Sequence, residues 1–359
     1  ADKTRFSFAS SLFGNVITIV FIFGGLLNMF NSWMVSLGLP FAVSGWLFFL
    51  LLSLSSEILN IPFSLYENFR IENKYGFNTM TLRLWITDLI KSMLVSAVLM
   101  SSILFAAFAL IQWSPGRWWL WLWGVMLAYG IFMMYISPYV IEPLFNKFIP
   151  VEDESLKEKV TGLAAKAGIR ITKVLRMDAS RRSKHSNAYF TGIGRTKRIV
   201  LYDTLIEGMT QGEIIAVLAH EIGHWRRRHV LKMIVAMEII SLIGLYLSFR
   251  LMEGDFLAGI FRIDAPTAYA KFVLIGFLAG IAAFPLKPVI SWFSRRNERQ
   301  ADNDCIEFAG NAEDAVSAFV KLAKENLSNL YPHPLYVIFY YSHPPILERI
   351  KYIREKKEN

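Results

Sequence analysis

Residues 220–252 read HEIGHWRRRHVLKMIVAMEIISLIGLYLSFRLM. The part from Val230 to Met252 is predominantly apolar, with Lys232, Glu238 and Arg250 the charged residues in it. A helix of about 20 such residues crosses the roughly 30 Å of a bilayer's hydrocarbon. The first five residues, His220-Glu221-Ile222-Gly223-His224, match H-E-x-x-H. On a helix, residues four apart lie one turn apart on one face, so both imidazoles reach the same point. Three fixed residues in this pattern arise by chance in such a chain about once in a hundred. A membrane span and a metal-binding pattern are therefore joined by the three arginines Arg226–Arg228.

Outward from that stretch, five more segments have the length and apolarity of spans: Ser10–Phe30, Phe41–Leu59, Trp85–Trp113, Trp118–Ile141 and Thr267–Phe293. Apolar residues make up 54% of the 359 and charged residues only 19%, against roughly 25% in soluble domains. That balance excludes a disordered chain and an ordinary soluble enzyme. The 10 Trp and 14 Tyr suit rings placed at headgroup level. Cys305 is the single cysteine, which excludes an internal disulfide framework and a cysteine-based zinc site.

The net charge of +9 is unevenly placed. The 31–40 loop has no charge, and the 253–266 loop sets Glu253, Asp255 and Asp264 against Arg262. Arg70, Lys74 and Arg83, then Arg226–Arg228, then Arg295 and Arg296 fall in the alternate segments. The positive-inside rule places those segments and both termini in the cytoplasm. Membrane topology accounts for the basic balance, and no nucleic-acid partner is expected. The chain is read as four parts: spans in 1–141, a soluble α/β piece in 142–229, two spans in 230–293, and a helical cytoplasmic piece in 294–359.

Within the soluble piece, Asp153 caps a helix that Gly168 ends. Ile171–Met177 and Lys197–Tyr202 read as strands, and an amphipathic helix opens at Thr210–Glu213. Lys197–Tyr202 suits either an edge strand that pairs with extended substrate or a core strand. His229, five residues beyond His224, falls off the ligand face and suits headgroup contact. Pro285 and Pro288 should kink or end the last span.

A catalytic zinc needs a third protein ligand and an open position. Glu298 is the candidate, with Asp302 one turn on and able to orient a ligand histidine from behind. A solvated charged helix would explain the same acidic pair. Depth favours the ligand reading. His224 lies about 9 Å before the span at Val230 if the helix continues, and Glu298 about 8 Å after the one ending at Phe293.

At this point the chain resembles the integral-membrane zinc metalloproteases of the CAAX prenyl protease type I (a-factor-converting) family. The matching residues are Pro62…Tyr66…Phe69…Glu72-Asn73-Lys74-Tyr75-Gly76-Phe77-Asn78, Lys184-His185-Ser186-Asn187-Ala188-Tyr189-Phe190, Lys197–Leu205, His220–Trp225, Glu298…Asp302 and Tyr341-Ser342-His343-Pro344-Pro345…Arg349-Ile350. The resemblance implies a polytopic α-helical membrane protein enclosing an intramembrane chamber, with a zincin-like α/β protease domain. It implies one Zn2+ per chain on His220, His224 and Glu298, with Glu221 as general base and Asp302 behind a ligand. It points to Asn187, His343 and Arg349 as cleft residues near the reacting carbonyl. Substrates would be peptides or lipidated proteins at the membrane, with lipids as the other partner. The zinc site would face the cytoplasm, at a bacterial inner membrane or at the endoplasmic reticulum. The family has seven spans and six are legible; the absent one is the family's first, which the start at Ala1 fits. The alternative is a quality-control protease like the heat-shock membrane protease HtpX, which shares mainly the zinc-site pattern.

Overall fold

The structure, a computed structural model, describes residues 2–192, 197–254 and 256–358; Ala1 and Asp255, both used above, lie outside them. In chain order the helices are α1 Asp2–Phe23, α2 Leu26–Ser36, α3 Phe41–Tyr66 (continued by a π-helix, Glu67–Glu72), α4 Leu82–Trp113, α5 Trp118–Val140 and α6 Glu142–Phe145. Strand β1, Phe148–Pro150, precedes α7, Glu154–Lys166. Strands β2 Ile171–Met177, β3 Ala188–Thr191 and β4 Lys197–Tyr202 lead to α8 Asp203–Gly208 and α9 Gln211–Arg226. Then follow α10 His229–Met252, α11 Phe256–Phe261, α12 Ala268–Ala283, α13 Lys287–Ala309, α14 Ala312–Glu325, α15 Pro334–Tyr340 and α16 Ile346–Glu358.

Six helical stretches among the described residues are long and apolar enough to cross a membrane, as the sequence implied. The expected first span, Ser10–Phe30, is not one helix. It breaks after Phe23, where Gly25 takes φ 81°, a left-handed conformation that glycine adopts without a Cβ clash. An apolar window does not register such a break, because two glycines lower hydropathy only slightly. The prolines act as expected: α12 ends in a 3-10 turn, Phe284–Leu286, and α13 restarts with Pro288 in its first turn.

The chain forms two compact units. The first comprises residues 1–75, 83–131 and 236–284. Its core gathers Leu27, Met34, Phe48, Phe108 and Leu274. At Gly45 a Cβ would lie 2.5 Å from the Phe108 ring, so α3 and α4 meet closely only because that position is glycine. The buried amide oxygen of Asn31 accepts from the Thr267 hydroxyl at 2.6 Å and its backbone N–H at 3.2 Å, which ties α2 to the start of α12. Leu94, Val98, Ile239 and Ile243 point outward and exposed, as helices solvated by lipid require.

The second unit comprises residues 76–82, 132–235 and 285–359. Its sheet runs β1-β2-β4-β3; β2 and β4 are parallel and the other pairs antiparallel. This settles the choice left open for Lys197–Tyr202, and the edge reading is overturned. β4 lies inside the sheet, with Arg198, Ile199, Val200 and Leu201 all buried. A strand covered on both faces reads as a continuous buried run rather than an alternation. The edges are β1 and β3, the latter a four-residue strand too short to stand out in the sequence.

Candidate active site

Helix α9 begins with a capping box. Thr210 Oγ1 accepts the Glu213 N–H at 3.3 Å, and the Glu213 carboxylate accepts the Thr210 N–H at 2.7 Å. Glu213 is also held by Lys321 at 2.7 Å and Ser317 at 2.6 Å. Ile214, Leu218 and Ile222 anchor α9 in the core with Leu156, Ile199 and Leu205. That orientation leaves His220, Glu221 and His224 facing elsewhere, toward α13 and β3.

Gly223 sets how closely α13 approaches. A Cβ there would sit 3.0 Å from Ala301 Cα and from Asp304 Cβ, and 3.2 Å from the Ala301 carbonyl oxygen. Those neighbours are backbone and Cβ atoms, which cannot swing aside. The expected outcome for Gly223→Ala is therefore a loss of about 1–3 kcal/mol despite the gain in helix propensity. Thermal unfolding of the purified variant checks this; a variant as stable as the parent would show that the two helices can part freely.

Because α9 and α13 touch there, Glu298 reaches both histidines. His220 Nε2 lies 3.2 Å from His224 Nε2. Glu298 Oε2 is 3.3 Å from His220 Nε2, and Oε1 is 3.3 Å from His224 Nε2. One ligand atom from each of these three side chains lies within 4.8 Å of the others, a grouping that can hold a metal ion such as zinc. Glu298 is 4% exposed, and its Oε2 is buried without a hydrogen-bond partner among the described residues. A buried carboxylate oxygen left in that state asks for a cation.

Behind the donors lies a charged layer. Asp302, 1% exposed, lies 2.9 Å from His220 Nδ1. The Arg349 fork grips the same carboxylate, Nη2 at 2.6 Å and Nε at 3.0 Å, and its plane lies 4.0 Å over the Phe319 ring. Burial lowers the pKa of His220, but Asp302 and Glu298 outweigh it and raise the value to about 9. The pocket thus stabilises positive charge. Burial pushes the Glu221 carboxyl upward, opposed by the two histidines.

The other expected residues fall as follows. His343 Nε2 lies 3.2 Å from Glu298 Oε1, and its Nδ1 is 2.8 Å from Ser342 Oγ. Asn187 is exposed at the start of β3, its Oδ1 accepting the Ala188 N–H at 2.8 Å. Arg349 is 9% exposed and stands behind His220, its Nη2 3.2 Å from His220 Nδ1. A cavity of about 340 Å³ is walled by Glu221, His224, Trp225, Glu142 and the β3 residues Tyr189–Thr191. The open edge of the sheet therefore borders the donor set.

One residue is misplaced by sequence reasoning. His229 is not at the headgroups: it is 4% exposed and its Nδ1 lies 3.1 Å from His224 Nδ1. On an unbroken helix five residues turn about 140° from the starting direction, which puts His229 off the ligand face. The helix is broken instead, at Arg228 with φ 55°, so the assumed continuation from His224 into the span does not hold. Nothing local in Arg226–Arg228 announces that turn.

Comparison with known proteins finds matches over nearly the whole chain. Residues 1–147 match the family described as CAAX prenyl protease N-terminal, five membrane helices, and residues 150–357 match peptidase family M48. A CAAX prenyl protease 1 homolog of Arabidopsis thaliana is 39% identical over 306 residues, 83% of this chain and 70% of that protein. The human CAAX prenyl protease 1 homolog is 31% identical over 408 residues, 100% of this chain and 85% of that protein. The crystal structure of S. mikatae Ste24p matches with a TM-score of 0.89 at 32% identity, covering 98% of this chain and 86% of that one.

Proposed function

The chain belongs to peptidase family M48 as a membrane-embedded zinc metalloendopeptidase, and from that premise we propose which residues do the work and on what substrate. His220, His224 and Glu298 hold the zinc, Asp302 and Arg349 hold His220 from behind, and Glu221 is the general base. The observation that carries this is the set of 3.2–3.3 Å contacts among His220 Nε2, His224 Nε2 and the two Glu298 oxygens, beside the half-buried carboxylate of Glu221.

Zinc, when bound, supplies Lewis acidity that polarises the scissile carbonyl and makes a water more acidic. The substrate lies extended along β3, its backbone pairing with the N–H and C=O groups of the sheet edge. Glu221 takes one proton from the attacking water and hands it to the leaving amine nitrogen. Its raised proton affinity in the buried pocket suits both halves of that transfer. His343 and the Asn187 amide donate to the oxygen on which charge develops.

We place the unit holding these residues on the cytoplasmic side, which the clustering of Arg226–Arg228 with Arg295 and Arg296 supports. The substrate class we propose is a peptide ending in a prenylated CAAX sequence, which the names of the curated relatives support. The test is cleavage by the full chain in detergent of one CAAX peptide with and without a farnesyl group. Burying even a few farnesyl carbons is worth about tenfold, so the lipidated peptide should react at least that much faster at low concentration. Equal rates would sink the prenyl assignment and leave a general protease of membrane-associated peptides.

A further inference from the structure

His224 is oriented differently from its partner ligand. His220 rests on a carboxylate, Asp302. Among the described residues no carboxylate stands at the rear nitrogen of His224; Nδ1 faces His229 Nδ1 at 3.1 Å, and His229 Nε2 faces Gln300 Oε1 at 3.0 Å. We propose that His229 and Gln300 form a neutral relay that sets the tautomer and ring orientation of His224 and so tunes the metal affinity of the site. His229 is a positioning residue, acting through His224; the inference rests on the ligand assignment made above.

Each link follows from the next. His224 Nε2 lies among the donor atoms, so it must present a lone pair and Nδ1 must carry the proton. That proton can be received only if His229 Nδ1 is bare. His229 then carries its own proton on Nε2, and the group facing Nε2 must accept. The Gln300 amide oxygen does so. With the amide turned over, its NH2 would donate to His229 Nε2 and move the proton to His229 Nδ1. That proton would then point at His224 Nδ1 and leave the His224 proton on Nε2, where it blocks ligation. One orientation of Gln300 is therefore compatible with a metal ligand at His224.

The fold builds this contact deliberately. Arg227 closes a fork on Asp304, at 2.6 and 2.8 Å, pinning the end of α9 to α13. Arg228 then takes the left-handed conformation, φ 55°, and α10 starts at His229. The turn brings His229 back against His224. Gln300 lies two residues after Glu298 on α13, so one helix supplies a donor and the far end of the relay.

The relay is neutral where zinc sites often use a carboxylate, and outer partners of this kind change metal affinity by about 10–100-fold. The test uses the purified full chain in detergent, with Zn2+ titrated against a competing chelator and Co2+ substituted for its visible spectrum. His229→Phe keeps the ring volume and removes the acceptor; zinc affinity should fall about 10–100-fold. His229→Asn, whose amide oxygen takes the Nδ1 position, should recover most of it. Gln300→Glu puts an anion at the end of the chain; zinc should bind more tightly and the Co2+ bands should shift, a gain that damaged packing cannot produce. Wild-type affinity in His229→Phe, equal losses in the Phe and Asn variants, or no change in affinity and bands in Gln300→Glu would each overturn the relay. Glu298→Ala separates the two readings: if it kept its zinc, the ligand assignment itself would fall.

Discussion

Glu221→Gln should leave one zinc per chain in place and reduce peptide cleavage by about 10²–10⁴-fold. The substitution changes one oxygen of the carboxylate to NH2 and almost nothing of its volume. Among the described residues Glu221 makes no contact on which the donor set depends: His220 is held by Asp302, and the Glu298 oxygens lie 3.3 Å from the two histidines. Metal content and fold should therefore persist. What is lost is the group that accepts a proton from water and returns it to the amine. An amide has no such basicity, and among the described residues the other carboxylate lining the cavity is Glu142, which accepts from the Tyr189 hydroxyl at 3.0 Å. The check is zinc per chain beside kcat for a cleavable peptide. Retention of more than a tenth of the activity would show that another group moves the proton.

Arg349→Met should destabilise the second unit by about 3–5 kcal/mol, because removing one partner leaves a buried carboxylate uncompensated. Asp302 is 1% exposed and both its oxygens are engaged by the Arg349 fork. Methionine fills the volume over Phe319 but supplies no charge. Asp302 would then take a proton or draw water inward, and in either case it would hold His220 less well. For roughly 200 residues unfolding together, a loss of this size lowers Tm by about 10 °C. Arg349→Lys should fail to restore it, since an ammonium cannot form the two parallel hydrogen bonds of the fork. If Arg349→Met kept its Tm and lost only kcat, the guanidinium would be acting at the oxyanion, as the resemblance suggested, and the packing argument would be wrong.

Much of this molecule is determined by sequence acting locally. A span must present about 20 apolar residues whatever else surrounds it, so six were legible, and only the break at Gly24-Gly25 was lost inside an apolar window. Caps are local too: Asp153, Gly168 and the Thr210–Glu213 box stand where their side chains and φ angles require. His220 and His224 share a face because one helical turn separates them, whereas the depth argument for Glu298 assumed a continuous helix from His224 that the turn at Arg228 interrupts.

Tertiary structure alone decided the rest. Which strand forms the edge depends on where the β3–β4 hairpin lies against β2, and a register over distant residues leaves no periodic mark. The fork of Arg349 on Asp302 joins residues 47 apart, and the single contact of His229 with Gln300 joins residues 71 apart. Neither pair has a spacing rule, because the distance between them is set by how α9, α13 and α16 pack. The left-handed turn at Arg228 is a further case: an arginine takes φ 55° because Arg227 on Asp304 and His229 on Gln300 hold both sides of it. Short-range chemistry set His220 and His224 on one face, and long-range packing brought Glu298 to them and chose what stands behind them.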